Sequence, residues 1–329
     1  MPPPLPRCAA ATPRVRRVRV AVVGAGVVGL TAALRLAEAG HVVRVVAARP
    51  PAETTSAVAA ALWYPYRALP QDRVTAWSAV TYRVLRGLVR EPAAGVRLRA
   101  GRELLRQPAG DPWWRDAVPD LDRVPPAELP PGYADGYRLL APVVDMSVHL
   151  PWLVDRLAQH GVPLEVRPLD DLDAADPDAD VVVDAAGLGA GPLAGDGSLV
   201  PVRGQVVVVE QVGVEEWLLD QTDPAALAYV VPRERTVVLG GTAQVGATGT
   251  EPDPATAREV VARCARLVPA VAGARVVAHR VGLRPTRPSV RLEAGVLPSG
   301  RPVVHDYGHG GAGVTLAWGC AEEVVRLVG

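Results

Sequence analysis

The stretch VRVAVVGAGVVGLTAALRLAEAGHVVRVV, residues 18–46, opens on a largely apolar run, Val18–Val23, that reads as a buried strand. Gly24, Gly26 and Gly29 follow as GxGxxG, a helical pattern closes at Gly40, and a second strand, Val42–Val46, comes next. The spacing predicts a βαβ unit whose glycines leave room for a dinucleotide pyrophosphate. The anion would sit on the helix N-terminus, at Val27 and Val28, where N–H groups and the helix dipole favour negative charge. An acid about 20 residues past the first glycine normally binds the adenosine ribose. Here Ala47, Ala48 and Arg49 end the strand, and Arg49 could instead take a 2′-phosphate. The motif implies a dinucleotide without naming it.

A second glycine loop lies near the chain end. YGHGGAGVTLAWG, residues 307–319, sets Gly308, Gly310, Gly311 and Gly313 around His309. Beyond it Val314, Leu316, Trp318, Ala321, Val324, Val325 and Leu327 recur at helical spacing. A glycine loop therefore opens onto a terminal helix, again a geometry suited to a ligand.

Composition narrows the classes. The 329 residues are 49% hydrophobic, enough for a sizeable core, and the 35 basic and 35 acidic side chains balance. Neither nucleic acid nor an anionic membrane is expected as a partner, and no apolar run has transmembrane length. The opening MPPPLPRCAAATPRVRR, residues 1–17, reads as a disordered lead-in rather than a secretory signal. Three cysteines at wide spacing exclude a disulfide framework and CxxC motifs, so a reducing cytoplasm is expected. The chain has no Lys, Ile, Asn or Phe, the mark of a GC-rich and bacterial genome, and so no lysine base or Schiff base can form. The histidines show no metal-like spacing, and no metal is expected.

Three segments carry a family resemblance: TTSAVAAALWYPY (residues 54–66), HRVGLRPTRPSVRLE (residues 279–293) and VVHDYGHGGAGVTLAWGCA (residues 303–321). With the first glycine motif, they resemble the D-amino-acid oxidase family of flavoenzymes from about Val18 onward. The resemblance implies non-covalent FAD, held by Gly24, Gly26, Val27, Val28, Gly29, Arg49, Thr54, Thr55, Ala60, Ala61, Leu62, Gly187, Gly310, Gly311, Gly313, Val314 and Thr315. It places Arg284 of GLRP as the fork for the substrate carboxylate, Tyr229 of AYVVP as its partner, the Gly311 carbonyl as the amine acceptor, and Tyr64 near the substrate. Arginine suits the task because its planar donors match a carboxylate and stay charged. The chain departs from the family pattern in several places. Ala225 replaces a lid tyrosine of vertebrate members, Ala48 replaces the ribose acid, Tyr64 replaces a common glutamine, and Asp306 stands where a small, amide or imidazole side chain is usual.

The reaction implied is oxidation of a D-amino acid, neutral by expectation, through hydride transfer from Cα to flavin N5. Dioxygen then takes the electrons to give hydrogen peroxide, and the imino acid hydrolyses to a 2-keto acid and ammonia. Positioning carries such a reaction, and His309 reads as a structural or flavin-packing residue rather than a base. A homodimer is compatible with the resemblance. The fold class expected is α/β, a doubly wound FAD-binding domain (18–58, 142–200 and 282–329) interleaved with a mixed-sheet substrate domain (59–141 and 201–281). The proline-rich run Pro108–Pro131 reads as a surface excursion. Other readings stay open: a glycine, sarcosine or D-aspartate oxidase of the same fold, an NADP-dependent dehydrogenase using Arg49, or a non-catalytic dinucleotide-binding protein.

Overall fold

A computed structural model describes residues 17–65 and 67–329. The lead-in, Arg17 excepted, and Tyr66 lie outside the described residues. The βαβ unit forms as its sequence dictates: strand Arg19–Val23, helix Val27–Glu38, strand Val42–Ala47. Arg19–Val23 runs parallel to Val42–Ala47 on one side and to Val181–Asp184 on the other. Pro302–His309 and Leu164–Val166 extend this parallel set at its two ends. Val20, Val22, Val45, Val182 and Val183 are buried, as expected of strands covered on both faces.

The remaining strands are mostly antiparallel. Val200–Glu210 pairs with Thr236–Gly240, which pairs with Ala228–Pro232, and that strand pairs with Trp217–Asp220. Val96–Leu105, Asp135–Val144 and the short Leu121–Arg123 complete this side. One strand of 21 residues, Val276–Val296, links the two regions into a single 14-stranded ladder. Its first half pairs with Val200–Glu210, and from Thr286 onward it pairs with Pro302–His309, with a register shift between Thr286 and Arg291. The change of partner puts Arg284 just before the crossing.

The C-terminal helix Gly313–Val328 packs on both Val27–Glu38 and Gln71–Leu88. Contact with the second of these is close because Gly319 has no side chain: a Cβ there would lie 2.3 Å from the Trp77 carbonyl oxygen. The helix Met146–Gln159 is started by Asp145, whose carboxylate accepts from the Ser147 N–H. The proline-rich run is only partly a surface excursion. Trp114, Ala117, Val118, Leu121 and Val124 within it are buried, and the Trp114 ring meets Trp63 and Tyr64 at centroid distances of 6.1 and 5.0 Å. A large aromatic recovers apolar burial that a proline count does not register.

Candidate active site

A cavity of about 820 Å³ runs along the ends of the parallel strands and into the antiparallel region. Its size falls within the range of cofactor sites. Of the residues expected from sequence, Gly24, Gly26, Val27, Val28, Arg49, Thr54, Thr55, Ala60, Ala61, Leu62, Gly187, Gly310, Gly313 and Val314 line it. So do Arg284, Tyr229, Gly311 and Tyr64. Gly29 and Thr315 do not. A Cβ at Gly29 would fall 2.1 Å from the Gly24 carbonyl oxygen, so this glycine serves helix-to-strand packing. The buried Thr315 hydroxyl lies 3.1 Å from both the backbone N–H and the carbonyl of Tyr64, tying the terminal helix to that segment.

The first glycine loop is shaped for an anion. Gly24 has φ +120°, and the backbone turns there against Ala185. Gly26, at the N-cap, brings no side chain to the helix end, the first turn holds no acid, and Ser56 Oγ accepts from the Val27 N–H at 3.0 Å. A helix start without a carboxylate, open to a cavity, fits a pyrophosphate. Beyond it the cavity is walled by Ala47, Ala48 and Arg49 and by Pro168, Leu169 and Asp170. Glu53, Ser56 and Asp170 were not expected from sequence. Asp170 escapes a reading along the chain because it follows a different strand, Leu164–Val166, that only the sheet brings beside Val42–Ala47.

At the other end two side chains lie across glycines. A Cβ on Gly204 would fall 2.4 Å from Arg284 Nη2, and one on Gly240 would fall 1.9 Å from Tyr229 Cζ. Arg284 thus crosses the neighbouring strand Val200–Glu210, and Tyr229 crosses Thr236–Gly240, which are themselves paired. Their polar heads meet at consecutive residues. Arg284 Nη1 donates to the Thr242 carbonyl at 2.9 Å, and the Tyr229 hydroxyl lies 2.6 Å from where a Gly241 Cβ would be. The glycine loop joins them, since the Gly310 N–H donates to the Pro285 carbonyl at 2.8 Å. Thr55 donates to the Leu283 carbonyl at 2.9 Å, fastening the 54–64 segment to the same place. The three quoted motifs therefore converge on one point.

Tyr64 is buried against Trp114 and Trp217, and its hydroxyl donates to the Glu103 carboxylate. Burial raises the Glu103 pKa above its usual value, the Tyr64 bond pulls it down, and Asp220 raises it again. A carboxyl raised in this way stabilises the fold most below its unfolded value of 4.5, and the contribution declines as pH climbs toward the folded value. Tyr64→Phe removes the lowering contact and pushes the folded value higher. We expect it to cost about 1–3 kcal/mol near neutral pH and less at acid pH. Denaturant unfolding at the two pH values checks this, and an equal or larger loss at acid pH would contradict it.

The FAD dependent oxidoreductase family model matches residues 19–327. A D-amino-acid oxidase of Rubrobacter xylanophilus is 55% identical over 94% of this chain and 96% of its own length. A D-aspartate oxidase of Homo sapiens is 36% identical over 94% of each chain. Among solved structures, a glycine oxidase from Bacillus cereus superposes with a TM-score of 0.77 at 18% identity, covering 95% of each chain, a likeness of fold. With a match over nearly all of its length, this chain belongs to the family of FAD-dependent oxidoreductases.

Proposed function

We propose that the chain is a D-amino-acid oxidase that converts neutral D-amino acids and dioxygen to 2-keto acids, ammonia and hydrogen peroxide. The observation that carries the reading is the pair of side chains laid over glycines, Arg284 over Gly204 and Tyr229 over Gly240 and Gly241, beside the Gly310 loop. FAD, when bound, supplies a two-electron acceptor that dioxygen can reoxidise. The pyrophosphate belongs at Gly26, Val27 and Val28, and the Gly310–Val314 loop faces the ring end. The parallel strands, residues 18–58, 142–200 and 282–329, form the cofactor-binding unit in this reading, and 59–141 with 201–281 form the substrate unit.

Arg284 and Tyr229 hold the substrate carboxylate. The Gly311 carbonyl accepts a hydrogen bond from the amine, which fixes the third point around Cα. With the amine neutral on entry, no side-chain base is needed, and orientation does the work. Once the Cα hydride has passed to the two-electron acceptor, the substrate is left as an iminium that water converts to the keto acid and ammonium, so no amine proton has to be removed. Leu219, Leu227 and Val231 give an apolar wall for the side chain.

A D-aspartate oxidase needs a second cation for the second carboxylate. Among the described residues lining the cavity, the arginines are Arg49 and Arg284. Their strands are four spacings apart in the sheet, about 19 Å. One cation at the substrate end favours monocarboxylates. Handedness rests on the relatives, of which the Rubrobacter xylanophilus protein is named a D-amino-acid oxidase.

Anaerobic mixing with D-alanine, D-methionine, D-aspartate, their L-enantiomers, glycine and sarcosine tests the reading through loss of visible flavin absorbance. Bleaching by the neutral D-amino acids alone is expected. Bleaching by glycine derivatives alone, or the lack of any flavin band in purified protein, would overturn it.

A further inference from the structure

The terminal glycine loop holds a cluster with no part in the proposed reaction. Asp306 and His309 stand on strand Pro302–His309, and Cys320 stands on the helix that follows. They are 1%, 5% and 0% exposed. His309 Nε2 lies 3.2 Å from Asp306 Oδ1 and 3.5 Å from Cys320 Sγ, and all three ligand atoms fall within 4.8 Å of one another. A sequence scan for histidine spacing passes over this group, since it holds a single histidine and its cysteine comes from the helix beyond the loop.

A hydrogen-bonded trio is the simpler account, and the carboxylate argues against it. Among the described residues, both Asp306 oxygens are buried and accept no hydrogen bond, His309 at 3.2 Å included. A buried carboxylate in that state is costly and calls for a partner. The neighbouring acid Glu323 does not share the problem, because Arg73 and Trp77 hold it at 2.6 and 2.5 Å.

We propose that Asp306, His309 and Cys320 bind one divalent metal ion of the zinc class. Ligand distances of about 2.0 Å for oxygen and nitrogen and about 2.3 Å for sulfur give tetrahedral edges of about 3.3 Å (O to N) and about 3.6 Å (N to S). The observed separations are 3.2 and 3.5 Å. On binding, the Cys320 thiol loses its proton to solvent and its sulfur bonds the metal. The divalent charge is then balanced by one thiolate and one carboxylate, and no net charge is buried. Three protein ligands leave one tetrahedral position, which a water molecule would fill. Imidazole, thiolate and carboxylate together suit zinc better than magnesium or calcium. The ion would join strand to helix across the loop that faces the flavin. The site owes its anionic oxygen to Asp306, one of the residues by which this chain departs from the resemblance.

The test is metal content, which does not depend on the substrate. FAD-loaded protein made in zinc-supplemented medium is passed over a chelating resin, and zinc is measured by mass spectrometry and by absorption at its K-edge. We expect about one zinc per chain, with one sulfur at about 2.3 Å and nitrogen or oxygen at about 2.0–2.1 Å. Cys320→Ala and Asp306→Asn should each hold less than about a tenth as much, with circular dichroism reporting that they fold. If neither variant folds, the wild-type edge spectrum decides, and absence of a sulfur scatterer rejects the site. Wild-type protein that stays metal-free after incubation with excess zinc overturns the proposal, as does equal zinc in the wild type and both variants.

Discussion

Arg284→Met is expected to lower kcat/KM for D-alanine by roughly thirtyfold to several thousandfold, equivalent to about 2–5 kcal/mol for losing one side of a desolvated charge pair. The methionine covers much of the same volume across Gly204, where the guanidinium now lies, so packing is largely kept. It also leaves the Thr242 carbonyl without the bond it accepts at 2.9 Å, a smaller cost in stability. The sharper reading comes from changing the substrate as well. D-alaninol lacks the carboxylate, so the variant and the wild type should oxidise it at similar, low efficiency. An equal loss on both substrates would mean that the substitution disturbs the cavity as a whole and that Arg284 is not the carboxylate fork. Arg284→Lys should fall between, since a point charge cannot form two parallel bonds.

The sequence showed the parallel half of the sheet and the motifs more clearly than the cavity they build. Val20–Val23 and Val43–Val46 announce buried strands through composition alone, and GxGxxG fixes the turn between strand and helix. Arg284 and Tyr229 were found through a resemblance of short motifs, and their mutual geometry was not. That Gly204 and Gly240 exist to let those side chains lie flat follows from strand register, which a linear reading lacks. Two features were hidden because sheet order and sequence order differ, and a third because an aromatic can bury itself within a proline-rich run. Asp170 reaches the cavity from the loop after the edge strand, Glu103 reaches Tyr64 from a strand 39 residues later, and Trp114 folds inward from a run rich in proline. Gly29 and Thr315 sit in the right motifs but pack against backbone instead of lining the cavity.

The two glycines that open the first helix should separate folding from cofactor binding. Gly24 has φ +120°, and a Cβ there would lie 2.3 Å from the Ala185 carbonyl oxygen, so Gly24→Ala meets both backbone strain and a backbone clash. Each costs about 1–3 kcal/mol, and the FAD-free protein should melt roughly 3–9 °C lower. Gly26 differs, because its φ of −76° suits any residue and its nearest obstacle is the Ser56 hydroxyl at 3.1 Å, which can turn aside. Gly26→Ala should therefore leave the melting temperature of the FAD-free protein within about 2 °C of wild type. Its methyl group instead enters the cavity at the helix start, where the proposed function puts the pyrophosphate near the Val27 and Val28 N–H groups. We expect FAD to bind at least about tenfold more weakly, a loss of about 1.4 kcal/mol or more. Fluorescence titration of the FAD-free forms measures the affinity, and melting with and without FAD measures the linked stabilisation. Wild-type affinity in Gly26→Ala would move the anion away from this helix. A Gly24→Ala protein that melts normally yet fails to hold FAD would reverse the roles given to the two positions.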